Sequence, residues 1–262
     1  MSLTLATFNV NSIKARKELL IRWLTEKVNI DVLCLQELKC EEKNFPFEDF
    51  EKLGYQCAVN GQKTYNGVAI CSKLPMKNIQ KGLNSEKFDT QKRVIKADIK
   101  DITLYNIYAP HGGEEGSEKH LYKLEFFKFL KEYIKTNHDL ENEKVCILGD
   151  LNVARDDIDV YDPELLRGVI DFMDDEREVF EDFLSIGLID LFREKYPDKH
   201  GFTWWDYKTA AVFRDEGMRI DYILASPPLA EKLIDIKVDM WTRYRHKPTP
   251  SDHAPVVAEF DI

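Results

Sequence analysis

Apolar residues in this chain come in short runs, and many of these runs stop at a polar cluster. Val145-Cys146-Ile147-Leu148 leads into Gly149-Asp150-Leu151-Asn152. Ser251-Asp252-His253-Ala254-Pro255 leads into Val256-Val257-Ala258-Glu259-Phe260. Runs this short and apolar predict strands buried on both faces. The same pattern predicts strands over Leu3–Asn9, Val32–Gln36, Gly67–Ser72, Val94–Ile99, Thr103–Tyr108, Val145–Leu148, Thr203–Trp205, Ile220–Leu224, Ile236–Asp239 and Val256–Phe260, all rich in β-branched and aromatic residues. Helical spacing predicts helices over Ala15–Lys27, Glu118–Thr136 and Asp175–Ser185. In the second, Leu121, Leu124, Phe127, Leu130 and Ile134 fall on one apolar face. Val94–Ile99 and Thr103–Tyr108 read as a hairpin. Many strands with few helices predict an α+β fold of two packed sheets with helices outside.

Composition narrows this picture. The 262 residues suffice for a large core, and no linker or repeat divides them, so one domain over residues 1–262 is expected. Hydrophobic residues make up 44 % and charged residues 32 %, which excludes a disordered chain. No apolar run reaches the length of a membrane span and none reads as a secretion signal. A cytoplasmic protein with no membrane contact is expected. The five cysteines, Cys34, Cys40, Cys57, Cys71 and Cys146, are odd in number and irregularly spaced, so all are expected to be reduced. A net charge of −10 opposes non-specific binding to nucleic acid. The acidity is concentrated at Glu114 to Glu118, Asp156 to Asp162 and Asp171 to Glu181, however. Basic residues gather at Lys14 with Arg16 and at Arg243, Arg245 and Lys247, which leaves room for a positive face.

The polar ends of the strands carry the candidate chemistry. Asn9 and Asn11 follow the first strand, Glu37 the second, and Tyr108 and His111 a central one. Asp150 and Asn152 end another, Asp221 stands near the start of a later one, and Asp252 and His253 precede the last. Opposite strand directions can bring these ends to one rim. No serine or cysteine sits in a nucleophile elbow. The residue types suit a hard divalent cation, magnesium first and manganese second, acting on a phosphate ester. Glu37 is the leading ligand; the full candidate set is Asn9, Glu37, Asp150, Asn152, Asp252 and His253. Asp150 can serve as base, Asn152, Tyr108 and His253 can donate hydrogen bonds, and Asp221 can orient His253. Each fragment alone has an ordinary reading as a turn or a strand exit. Their joint occurrence, in this order, is what points to a site.

That order resembles the exonuclease III class of apurinic/apyrimidinic (AP) endonucleases, within the endonuclease/exonuclease/phosphatase superfamily. The shared features are Phe8-Asn9-Val10-Asn11, Leu35-Gln36-Glu37, Gly149-Asp150-Leu151-Asn152 and Ser251-Asp252-His253-Ala254-Pro255. More particular to the AP-endonuclease branch are Gln36-Glu37-Leu38-Lys39, Gly67-Val68-Ala69, Asn106-Ile107-Tyr108-Ala109-Pro110, Phe202-Thr203-Trp204-Trp205-Asp206-Tyr207 and Arg219-Ile220-Asp221-Tyr222. The resemblance implies a four-layer α/β/β/α sandwich of two packed mixed β-sheets flanked by helices. It implies magnesium-dependent cutting of double-stranded DNA 5′ to a base-less sugar, leaving a 3′-hydroxyl, with trimming of 3′-blocked ends, by a monomer.

By position it makes Glu37 the magnesium ligand, with Asn9 and Asp252 nearby, and Asp150 the residue that activates water or protonates the leaving group. Asn152, Tyr108 and His253 would contact the scissile phosphate, with Asp221 paired to the histidine. Trp204, Met218 and Ile220 would wall the pocket for the flipped sugar, and Lys14, Lys39, Tyr65 and Arg93 would touch the backbone, with Asn11 and His111 beside them. Three places depart from the family pattern: Ser12 where several relatives have glycine, His111 where they often have asparagine or glutamine, and Asp162 to Val169, which lacks their asparagines. Two rival readings keep the scaffold: a phosphoesterase acting on small or lipid phosphates, and a DNA-binding relative without turnover.

Overall fold

Two six-stranded mixed sheets carry the architecture. In the computed structural model, which describes residues 2–245 and 247–262, the first sheet runs Leu233–Val238, Val256–Asp261, Ser2–Asn9, Val32–Gln36, Val68–Ser72, Gln56–Asn60 in spatial order. The second runs Met76–Lys81, Val94–Ile99, Ile102–Tyr108, Lys144–Asp150, Asp221–Ala225, Ile189–Asp190. One neighbouring pair in each sheet is parallel: Ser2–Asn9 with Val32–Gln36, and Ile102–Tyr108 with Lys144–Asp150. A short ribbon pairs Trp204–Trp205 with Gly217–Met218.

Side chains alternate across each strand, so one strand feeds two cores. Cys146 and Leu148 join Leu3, Leu5, Cys34, Ile70 and Ile223 between the sheets. Val145 and Ile147 point outward, against Phe126, Phe127, Leu130, Phe180 and Phe183 of the helices Glu118–Asn137 and Asp174–Leu184. On the far side, Leu20 and Trp23 of the helix Ile13–Glu26 cover Phe8, Leu33 and Leu35. This is the four-layer α/β/β/α sandwich. Burying one such large side chain contributes about 1.5–3 kcal/mol. Ser12 and Ser117 begin two of the helices, each accepting a hydrogen bond from a backbone N–H three residues on. Among the described residues no helix is long and apolar enough to cross a membrane.

Three expectations are corrected. Cys57 and Cys71 form a disulfide, so the five cysteines are not all reduced. They are directly opposite in the antiparallel pair Gln56–Asn60 and Val68–Ser72, with Cα atoms 4.0 Å apart, a placement that follows from register and not from spacing. Cys34, Cys40 and Cys146 are free thiols. The face of the helix Glu118–Asn137 is also turned from the expected one. Leu121 is 51 % exposed, while His120, Lys123, Phe126, Phe127, Leu130 and Ile134 are buried. Finally, the edge strands Gln56–Asn60 and Met76–Lys81 were not anticipated; the second is partly or fully exposed throughout and gives no apolar signal.

Candidate active site

Register brings the polar strand ends together. Asn9 pairs with Gln36, so Glu37 follows at the same rim. Tyr108 and Asp221 each pair with Asp150 from its two sides. Thr7 pairs with Val256, which places the preceding His253 and Asp252 beside Asn9. The backbone here is forced into uncommon conformations. Asn11, Glu37, Lys39 and Asn152 all have positive φ, which costs non-glycine residues energy and clusters at functional sites. Gly149, at φ 139°, is fixed by sterics: a Cβ there would lie 1.8 Å from the Ile107 carbonyl oxygen.

Asn9 is the hinge between the two sheets. Its amide donates to Glu37 Oε1 at 2.9 Å and to Asp150 Oδ2 at 2.8 Å. Beneath it, Gln36 donates to Thr7 Oγ1 and to Asn106 Oδ1, and Asn106 donates to the carbonyls of Leu35 and Ala69. Sequence reading did not identify this buried amide ladder, whose cue was two amides inside apolar strands. Ser251, also overlooked, donates to the Asn9 carbonyl at 2.7 Å and accepts from the His253 N–H. His253 lies with Nδ1 2.8 Å from Asp221 Oδ2 and Nε2 3.8 Å from Asp150 Oδ2. The ligand atoms of Glu37, Asp150 and His253 lie within 4.8 Å of one another.

Charge at this rim is unevenly balanced: Glu37 and Asp252 are held ionised, whereas Asp150 is not. Glu37, Asp150, Asp221 and Asp252 face His253 and the Lys39 ammonium, which sits 2.9 Å from Glu37 Oε2 and 2.5 Å from Asn11 Oδ1. Burial pushes the Asp150 carboxyl well up, with Asp221 and Glu37 adding to it, against the pull of His253. Burial opposes charge on His253, but Asp221, Asp150 and Asp252 outweigh it and raise the imidazole well above its usual range. Burial likewise opposes ionisation of Glu37, yet the hydrogen bonds from Lys39 and Asn9 hold its carboxyl below the ordinary value. Tyr108 is driven far up by burial and by Glu37 and Asp150, so it stays a neutral phenol. Asp221 Oδ1 has no partner among the described residues.

The remaining candidates fall around this centre. Asp252 is outside the three-residue group: its oxygens accept from Asn11 Nδ2 at 3.0 Å and Trp204 Nε1 at 3.2 Å, and burial is outweighed by His253 and Asn11 to keep it ionised. Asn152 donates to the Ala109 carbonyl and meets His111 Nδ1 at 3.4 Å. Asp171, bonded to the same ring, raises His111 to about 9. Arg93 lies over the Tyr108 ring, 4.9 Å from its centre. Trp204 and Met218 line a cavity of about 400 Å³ next to Asp171 and His111, whereas Ile220 is only 2 % exposed and belongs to the core behind them. Lys14 and Lys39 line a separate groove with Lys17 and Lys63, two cations that sequence reading passed over. Tyr65 is 67 % exposed on the loop before Val68 and lines none of these cavities.

Comparison with known proteins agrees with this geometry. The model of the endonuclease/exonuclease/phosphatase family matches residues 6–253. The chain is 36 % identical to exodeoxyribonuclease III of Haemophilus influenzae, across 97 % of this chain and 98 % of that one. An AP endonuclease structure from Archaeoglobus fulgidus superposes with a TM-score of 0.94 at 40 % identity, covering 99 % of this chain and all of the other. A 3′ phosphatase from Neisseria, solved bound to a product DNA hairpin, superposes with a TM-score of 0.93 at 38 % identity over 99 % of this chain and all of that one. With the family motifs gathered at one rim of the same sandwich, the chain belongs to the endonuclease/exonuclease/phosphatase family and, within it, to the exonuclease III class of AP endonucleases, which makes it a hydrolase of nuclease type.

Proposed function

We propose that this DNA repair nuclease cuts the backbone of double-stranded DNA 5′ to an abasic site, leaving a 3′-hydroxyl, and trims blocked 3′ ends, with magnesium as its ion and manganese as a substitute. One observation carries the reading: Glu37, Asp150 and His253 converge within 4.8 Å, close to the cavity lined by Trp204 and Met218. The donor set fits a hard divalent cation, because the carboxylate oxygens of Glu37 and Asp150 converge there beside the Asn9 amide. Glu37 would hold the ion, with Asn9, Asp150, Asn152 and Asp252 around it, while His253, as an imidazolium, would face the phosphate and not the ion. When bound, it supplies Lewis-acid polarisation of a phosphoryl oxygen and charge neutralisation at the leaving oxygen.

The side chains divide the rest. Asp150, with its carboxyl raised by burial, can take a proton from water near neutral pH. His253 stays an imidazolium on Asp221 and offers its Nε2–H to the developing phosphorane oxygen. Tyr108 and the second amide hydrogen of Asn152 donate beside it. A base-less sugar is cheap to flip out, since little stacking or pairing is lost, and the cavity walled by Trp204 and Met218 could receive it.

The test is incision of an end-labelled duplex with one abasic site, beside undamaged and nicked duplexes and a panel of small and lipid phosphoesters, with and without magnesium. A single cut 5′ to the lesion supports the reading. Turnover of small phosphoesters with no DNA product sinks it, and so does tight DNA binding without product.

A further inference from the structure

The helix Glu118–Asn137 buries a lysine that the chemistry above does not use. Lys123 has a side chain with 0 % exposure, and its ammonium contacts Glu176 Oε1 at 2.6 Å, Asp171 Oδ1 at 2.9 Å and the His111 carbonyl at 3.1 Å. A buried ion cluster is weak evidence for stability, because desolvation offsets much of the attraction and an apolar side chain could fill the space. The chain nevertheless makes room for it. Gly112, at φ 86°, would as any other residue bring a Cβ 3.0 Å from Lys123 Cδ and 3.4 Å from Glu176 Oε1.

The cluster fixes Asp171. Lys123 holds Oδ1, and the Asp171 carbonyl accepts from the Ala154 N–H at 2.7 Å, which ties the residue to the loop after Asn152. Asp171 keeps a left-handed φ of 70° under this restraint. Its second oxygen, Oδ2, lies 3.3 Å from His111 Nδ1. Asn152 Oδ1 faces the same nitrogen at 3.4 Å. Two acceptors on Nδ1 require that it carry the hydrogen, so the ring cannot flip without losing both. Nε2 has no protein partner among the described residues. The His111 side chain is 59 % exposed and lines both the Trp204 cavity and a second one of about 430 Å³ with Arg93, Lys119 and Tyr122.

We infer that Asp171, braced by Lys123, is a positioning residue that locks the His111 ring so that Nε2 is presented to a phosphate of the bound DNA strand between these two cavities. The inference rests on the DNA reading above and adds a specificity element to it. In this chain the grip depends on a carboxylate that touches no substrate.

A double-mutant cycle tests this on abasic duplex at saturating magnesium, using Asp171→Asn, His111→Gln and the pair. Each single change should raise KM about tenfold while kcat moves less than about twofold, and the pair should be no worse than His111→Gln alone. A loss from Asp171→Asn that persists in full in the His111→Gln background overturns the inference, as does a fall in kcat at unchanged KM. Should Asp171→Asn fail to fold, ring-nitrogen NMR of the wild-type protein without DNA decides. A His111 Nδ1–H protected from exchange supports the lock, and a ring protonated on Nε2 alone or exchanging freely overturns it. That spectrum needs no turnover, so a protein that leaves abasic DNA uncut would sink the proposed function and still leave this lock to be judged.

Discussion

Two clusters of buried charge sit on either side of the strand Asp221–Ala225, and they are built to opposite ends. Arg219, 1 % exposed, meets Asp159 at 2.7 and 3.0 Å and Asp190 at 3.0 and 2.7 Å, with Arg193 also on Asp159. Every oxygen there has a guanidinium partner. Burial works against ionisation of Asp159, yet Arg219 and Arg193 hold its carboxyl below the ordinary range. Across the strand, Lys39 and His253 help hold Glu37 and Asp252 ionised, but burial pushes the Asp150 carboxyl up. Both clusters hold buried carboxylates, paired with arginines in the first and with a histidine and a lysine in the second. Full pairing marks the structural knot, and the raised Asp150 carboxyl marks the candidate site.

This contrast can be broken most forcefully at Asp150. Asp150→Asn should lower kcat on abasic duplex by about 10³-fold while circular dichroism shows an intact fold. Near-wild-type turnover would remove Asp150 from its role. In the knot, the expected loss is in folding. Arg219→Met leaves two buried carboxylates unpaired and should cost about 3–5 kcal/mol in denaturant unfolding. Because the Asp159 carboxyl is depressed, its contribution is complete above about pH 4 and is lost as pH falls through the depressed value. Acid titration of the unfolding free energy should show that loss in the wild-type protein and less of it in Arg219→Met.

Asp221→Asn sharpens the comparison further. It removes the carboxylate that helps raise His253, so the imidazole loses its proton at lower pH. The alkaline limb of the kcat profile should move toward neutrality, with turnover down by about 10–100-fold. An unmoved limb would mean that His253 is not the donor.

The smallest effect has the opposite sign from the knot. A carboxyl raised by folding binds more protons in the native state, so its contribution to stability falls as pH rises from its unfolded value through its folded one. Asp150→Asn should therefore stabilise the metal-free protein at neutral pH, by about 1 kcal/mol, read as a higher Tm. Destabilisation there would show that Asp150 is compensated after all.

How much of this was legible in the sequence follows from the same physics. The strands buried on both faces were readable because Val32–Gln36 and Lys144–Asp150 carry unbroken apolar runs. The convergence of Glu37, Asp150 and His253 was readable because they lie at strand ends, where polar residues beside apolar ones stand out. Met76–Lys81 was hidden because an exposed edge strand needs no apolar face. Cys57 and Cys71 were hidden because their pairing depends on register. Lys123 was hidden most completely. Periodicity placed Leu121 on the buried face, and only the tertiary partners Asp171 and Glu176, 48 and 53 residues away, turn a lysine inward. The Arg219 knot is formed the same way, by residues 29 and 60 positions apart.

The central claim is that Glu37, with Asp150 beside it, holds a divalent ion. Titration of manganese into the wild-type protein and Glu37→Gln, followed by paramagnetic resonance of the free ion, tests it without any substrate. The account predicts a saturable site in the wild type that is lost or greatly weakened in Glu37→Gln. Equal binding by both proteins, or none by the wild type at concentrations that support cleavage, would contradict it.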